Sequence, residues 1–106
     1  MNVIKIVIAK DFTNTPGGRY KNEGDFSGEE FRNSVLRPKY EKAVVENKML
    51  FVDLDGCMGY PSSFLDESFG GLAREFSSED ISKRMILKSD DQPGLISEIM
   101  KMIKKD

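Results

Sequence analysis

The chain has 106 residues, 39% of them apolar and 32% charged, which suffices for one hydrophobic core under a solvated surface and is too little for two. Its 18 acids and 16 bases are interspersed and leave a net charge of −2, so no basic field exists to neutralise a nucleic-acid backbone. Histidine is absent and Cys57 is the only cysteine, which removes most metal sites, the commonest general base and any intramolecular disulfide.

The first element is the β-branched run Val3 to Ala9, broken only by Lys5, and its composition predicts a strand buried on at least one face. This opening segment lacks the basic leader and small-residue cleavage pattern of a signal peptide, and no apolar run approaches the ~20 residues of a membrane span. The expectation is one domain over 1–106 in the reducing cytoplasm, with no membrane contact and no cofactor.

Thr13 to Gly28 holds Pro16-Gly17-Gly18, Gly24 and Gly28, a density of turn formers that predicts a loop or irregular hairpin. Ser27 with Glu30 matches a capping box and predicts a helix start, with Phe31 and Val35 on one apolar face. Pro38 removes an amide and shifts the apolar phase to Leu36, Tyr40 and Val44, so a kink or break is expected there. Lys48 to Leu54 is a second strand, ended by Asp55-Gly56.

After Gly59-Tyr60-Pro61, Ser62 or Ser63 is placed to cap a helix whose Leu65, Phe69, Leu72 and Phe76 form one stripe, with Gly70 and Gly71 on the opposite side. Arg84 to Lys88 predicts a third, short strand. Asp90 to Pro93 then opens a final helix with Leu95, Ile96, Ile99, Met102 and Ile103 inward and lysines toward its C-terminal end. The order βαβαβα, joined by right-handed crossovers, predicts an α/β domain with a mostly parallel or mixed sheet covered by helices in two or three layers.

The segment from Asp53 to Leu72 carries the most chemistry: a strand, a tight turn, and a helix opening on two serines. It resembles the signature of STAS domains of the anti-sigma-factor-antagonist type, in which a strand ending Asp-Leu-x-Gly precedes a turn, a serine element and a helix. It is closer still to the STAS-like family of unknown function, whose Ser-Ser-Phe-Leu-x-Glu-x-Phe-Gly-x-Leu pattern is met by Ser62 to Leu72. The Pro16-Gly17-Gly18-Arg19 loop and the Ser27 to Arg32 helix start resemble that family too.

In the antagonists, the resemblance implies a switch in which a partner kinase with a histidine-kinase-like ATP fold phosphorylates a serine at the position of Ser62. Ser63 is the adjacent candidate. A phosphate there is compatible with an electropositive helix N-terminus. This chain departs from the antagonist pattern at Pro61, where an aspartate is usual, and at Phe64, where a glycine is usual. The plain alternative is that the two serines only cap the helix. The expected role is therefore a regulatory protein-binding module, with Tyr60, Ser62, Phe64 and Glu67 as its contact surface; small-ligand sensing is the second reading, and oligomeric state stays open.

Leu50 to Gly56 also resembles the first motif of haloacid-dehalogenase-type phosphatases, which would cast Asp53 as nucleophile and Asp55 as general acid around magnesium. Lys83 or Lys88 with Asp90-Asp91 would supply the later motifs. That strand lies mid-chain here rather than at the start of the core, and acids beside a glycine also serve simply as turn formers. Gly17, Gly18 and Arg19 form a weak candidate anion nest, lacking the lysine and length of a phosphate-binding loop, and the favoured reading is an ordinary flexible loop whose glycines serve backbone geometry. Cys57 has no neighbouring base in sequence and reads as a small filler. Tyr60 and Phe64 lie off the apolar stripe, either as aromatic anchors or as packing at the sheet edge.

Overall fold

Three runs of β-branched and long apolar residues become three short strands, β1 (Val3–Val7), β2 (Met49–Asp53) and β3 (Met85–Lys88), in a computed structural model that describes residues 2–105. The sheet order is β1-β2-β3 and both pairings are parallel, with Ile4 opposite Leu50 and Leu50 opposite Met85. Strands laid down in sequence order with the same hand of crossover put both connections on one face. The domain therefore has two layers, a sheet and a helical layer.

Beyond β1 the chain makes a single helical turn, α1 (Ile8–Asp11), and then the expected irregular loop, which contains only one 3₁₀ turn at Lys21–Glu23. Ser27 caps the next helix as its position predicts, its hydroxyl accepting from the Glu30 amide at 3.0 Å. That helix runs through α2 (Gly28–Phe31), a π-turn (Arg32–Leu36) and α3 (Arg37–Glu46) without interruption. Pro38 does not break the helix, which removes the break from the two outcomes expected there. It falls in the first turn of α3, directly after the π-turn, whose extra residue relaxes the clash a proline ring otherwise makes with the preceding turn.

The second crossover is α4 (Ser62–Leu65), a second π-turn (Asp66–Gly70) and α5 (Gly71–Glu75), again one continuous helix. A short helix that sequence periodicity did not anticipate, α6 (Ser78–Arg84), leads into β3. Its signals are local: Ser77 accepts from the Asp80 amide at 3.1 Å, acids occupy its first turn and bases its last. The chain closes with α7 (Gly94–Lys104), which buries Leu95, Ile99 and Ile103 against the second π-turn and α6.

The two crossover helices meet at their π-turns, with the Phe31 and Phe69 rings 6.1 Å apart. Ile4, Ile6, Leu50, Val52 and Met85 bring the inner face of the sheet into this core. Leu65, Phe69 and Leu72 are fully buried on the stripe that their spacing predicts, while Phe76 lies just past the helix end against Tyr40. Among the described residues, no helix is long and apolar enough to cross a membrane.

Candidate functional site

All three strands point their carboxyl ends at one edge of the molecule, and the segment 53–62 leaves β2 there. Asp53 accepts from the Asp55 amide at 3.0 Å, a side-chain turn that bends the chain, and Gly56 completes it at φ +94°, a left-handed conformation costly for any other residue. The Asp55 carboxylate accepts from the Lys88 ammonium at 2.8 Å and from the amides of Asp90 and Asp91 at 2.9 and 3.0 Å. With the Lys88 ammonium as the largest influence and the two amides behind it, the Asp55 carboxyl is held at about 2. Lys88 is pushed up in turn, first by Asp55 and then by Asp90, whose carboxylate lies 3.2 Å away.

Asp53, Asp55, Lys88, Asp90 and Asp91, the residues of the phosphatase-like reading, are thus brought to one edge. Asp53 and Asp55 are engaged by Lys88 and by backbone amides, which ties the turn after β2 to the turn after β3, while the Asp90 and Asp91 carboxylates stay exposed. Among the described residues, no group of three or more acids, cysteines or histidines is disposed to hold a metal ion. A sheet wound in sequence order also lacks the reversal point at which α/β sheets open a ligand crevice.

The rest of the turn is anchored from below. Tyr60 donates to the Leu54 carbonyl at 2.7 Å and contacts the Cys57 sulfur at 3.0 Å, the thiol donates to the Thr13 carbonyl, and the Met58 amide donates to the Asn14 carbonyl at 3.0 Å. Burial raises the Tyr60 hydroxyl and the Cys57 thiol above their ordinary ranges. These anchors leave Met58 83% exposed at the loop tip, a position that carried no signal in hydrophobic periodicity.

Of the four residues expected to form the contact surface, Ser62 alone faces solvent. Phe64 is fully buried, its ring stacked on Phe31 at 5.7 Å and within 6.4 Å of Phe12, so it is core and not an anchor. Glu67 has a side chain only 13% exposed, accepting from the Arg32 guanidinium at 2.7 Å with Arg19 at 3.4 Å. Tyr60 is half-buried and its hydroxyl is engaged. The cause is tertiary: the loop 13–27 and α2 lie across this end of the helix, so close that a Cβ on Gly28 would fall 2.5 Å from the Phe64 carbonyl oxygen.

The serines do not cap the helix either. Pro61 holds the cap position without a side-chain bond, and Ser62 and Ser63 are the first two helical residues. The first amide of this helix bonded to a carbonyl within it is that of Leu65, reaching Pro61 at 3.2 Å. A third serine, Ser68, is buried and donates to the Phe64 carbonyl at 2.8 Å inside the π-turn.

The weak candidate anion nest at Gly17, Gly18 and Arg19 is closed by the chain itself. Gly17 donates to the Phe26 carbonyl at 2.8 Å, the Arg19 amide donates to Glu23 at 3.1 Å, and the Arg19 guanidinium donates to Asp66 at 2.7 Å. The nearby Glu23 and the distant Asp66 thus take the place of an external anion, and the loop works as a clasp on the second crossover helix.

Arg32 has a role that sequence reading did not find. Its guanidinium donates to both the carboxylate and the backbone carbonyl of Glu67, and a Cβ on Gly71 would sit 2.5 Å from its Nη1. Gly71 therefore makes room for Arg32 rather than merely weakening a helix. The available signal was the pairing of an early arginine with a mid-helix glycine pair, which only contact geometry can connect.

A family model described as the STAS-like domain of unknown function (DUF4325) matches residues 27–95. No curated protein and no solved structure matches significantly. The matched span runs from the Ser27 cap through both π-turned crossovers and all of β2 and β3 to the start of α7, and the chain belongs to the STAS-like domain family of unknown function.

Proposed function

We propose that this domain is a regulatory protein-binding module whose contact surface is the tip of the loop between β2 and the second crossover helix, residues 58–62. The single observation that carries this reading is the exposure of Met58 beside Pro61 and Ser62 on a turn whose base is held rigid. An unbranched, polarizable side chain presented on a fixed turn suits adaptable protein contact. Ser62 adds the switch: its hydroxyl is free of cap bonds, and the preceding amides of the helix have no partner within it. A phosphate adds about −1.5 to −2 charges at that amide-rich end and changes what the loop can dock against.

The resemblance to the antagonist type supplies the class of partner, a histidine-kinase-like ATPase that both binds and phosphorylates. The internal engagement of Asp53 and Asp55 supports binding over magnesium-dependent phosphoester chemistry at the same edge. The test is incubation of the native chain with such ATPases and ATP, read by mass spectrometry, alongside pull-downs with Met58→Asp and Ser62→Asp. The reading expects phosphate on Ser62 and loss of partner in both variants. Capture unchanged by either substitution, with Ser62 unmodified, overturns it.

A further inference from the structure

The two-layer arrangement leaves a physical inconsistency on the far side of the sheet. Parallel sheets occur almost only with both faces covered, yet among the described residues every crossover helix lies on one face. Residues alternate between the faces, so Ile4, Ile6, Leu50, Val52 and Met85 enter the core while their neighbours point away. The outward set forms a row across the sheet, Lys5 beside Phe51 beside Ile86, flanked by Val3, Met49 and Val7. These apolar side chains are partly exposed and stand outside the core cluster, and the Lys5 ammonium lies 5.7 Å from the Phe51 ring.

We infer that this uncovered face is a docking surface for a basic amphipathic helix of a partner protein, separate from the loop 58–62. Size selects the occupant. Strands of four or five residues, ~3.3 Å per residue and ~4.8 Å apart, give a face of roughly 16 by 14 Å. A second copy stacked on so small a face would bury far less than the ~1,200 Å² of a stable dimer. A single helix of three turns, about 16 Å long and 10–12 Å wide, covers it. Charge selects the helix. Beyond the apolar row the face ends in Asp53 and Lys88, and past them come the exposed Asp90, Asp91 and Asp11, which outnumber Lys10 and a Lys88 ammonium already shared among Asp53, Asp55 and Asp90. Lysine or arginine in the turn over that end is favoured, and an acidic helix is repelled.

The experiment titrates the isotope-labelled full chain with three synthetic peptides of about 14 residues: a leucine–lysine amphipathic helix, its leucine–glutamate counterpart and a scrambled leucine–lysine sequence. The expected result is saturable amide shifts confined to Lys5, Phe51, Ile86 and their strand neighbours with the first peptide. At least tenfold weaker binding is expected of the other two. Ile86→Thr, which keeps a β-branched side chain, and Ile86→Lys should each weaken binding about tenfold with the remaining amide spectrum unchanged. Asp90→Asn with Asp91→Asn should weaken it a few-fold and flatten its salt dependence, and Met58→Asp should leave it intact. Absence of shifts, shifts centred instead on the hollow that Tyr40, Val44 and Phe76 line in the helical layer, equal binding of the acidic peptide, or a concentration-dependent dimer abolished by Ile86→Thr would each overturn the inference.

Discussion

Phe64→Ala separates a packing role from a docking role more cleanly than any other change. The ring is fully buried, stacks on Phe31 at 5.7 Å with planes 23° apart, and has Tyr60 at 6.1 Å and Phe12 at 6.4 Å. Removing a buried phenylalanine leaves a cavity and costs about 3–5 kcal/mol, and lost aromatic pairing puts this site toward the upper end. Domains of this size have ~5–15 kcal/mol in all, so the variant should retain at most a fraction of its folded stability. With a urea slope of ~1–3 kcal/mol per molar, the unfolding midpoint should fall by roughly 2 M. Ser62→Ala, two residues earlier and without a cap bond, should shift it by no more than about 0.5 kcal/mol. Chemical denaturation followed by circular dichroism measures both. If Phe64→Ala costs under about 1 kcal/mol, the burial argument is wrong and the aromatic returns to the list of surface anchors.

Other perturbations probe the remaining joints. Gly28→Ala adds a Cβ 2.5 Å from the Phe64 backbone carbonyl, so despite its better helix propensity it should destabilise by about 1–3 kcal/mol in the same denaturation assay. Arg19→Met should loosen the clasp: its ion pair with Asp66 is half-exposed and worth ~1 kcal/mol or less, so the readout is faster proteolysis within 14–26 with little change in global midpoint. Asp55, Asp66 and Asp80 all have depressed carboxyls in the folded state, held down chiefly by Lys88, Arg19 and Arg84 respectively. Their stabilisation is complete above the ordinary carboxylate range and is lost as pH falls through the folded values, so stability should drop between pH ~4 and 2, more shallowly in Asp55→Asn. Lys88 is raised, so its contribution is whole below its ordinary range and disappears as alkaline pH passes its folded value.

Much of the architecture is local and therefore readable from sequence. The β-branched run of β1, the Ser27 cap, and the apolar stripe of α7 depend on residues within about four positions of one another, and all three stand where their patterns place them. The serine–phenylalanine–leucine pattern from Ser62 onward likewise sufficed to recognise the family. Tertiary contact decided the rest. Pro38 reads locally as a break and becomes the first turn after a π-bulge because the helix that holds it packs along the sheet. Gly71 reads as a weakness until Arg32, far away in sequence, fills the space it leaves. Phe64 and Glu67 lie off the predicted stripe, yet the loop 13–27 and α2 roof that side and remove them from solvent. Which face of a helix or sheet meets water depends on what the chain later lays across it, and that information resides in pairs of residues too distant for any local pattern to connect.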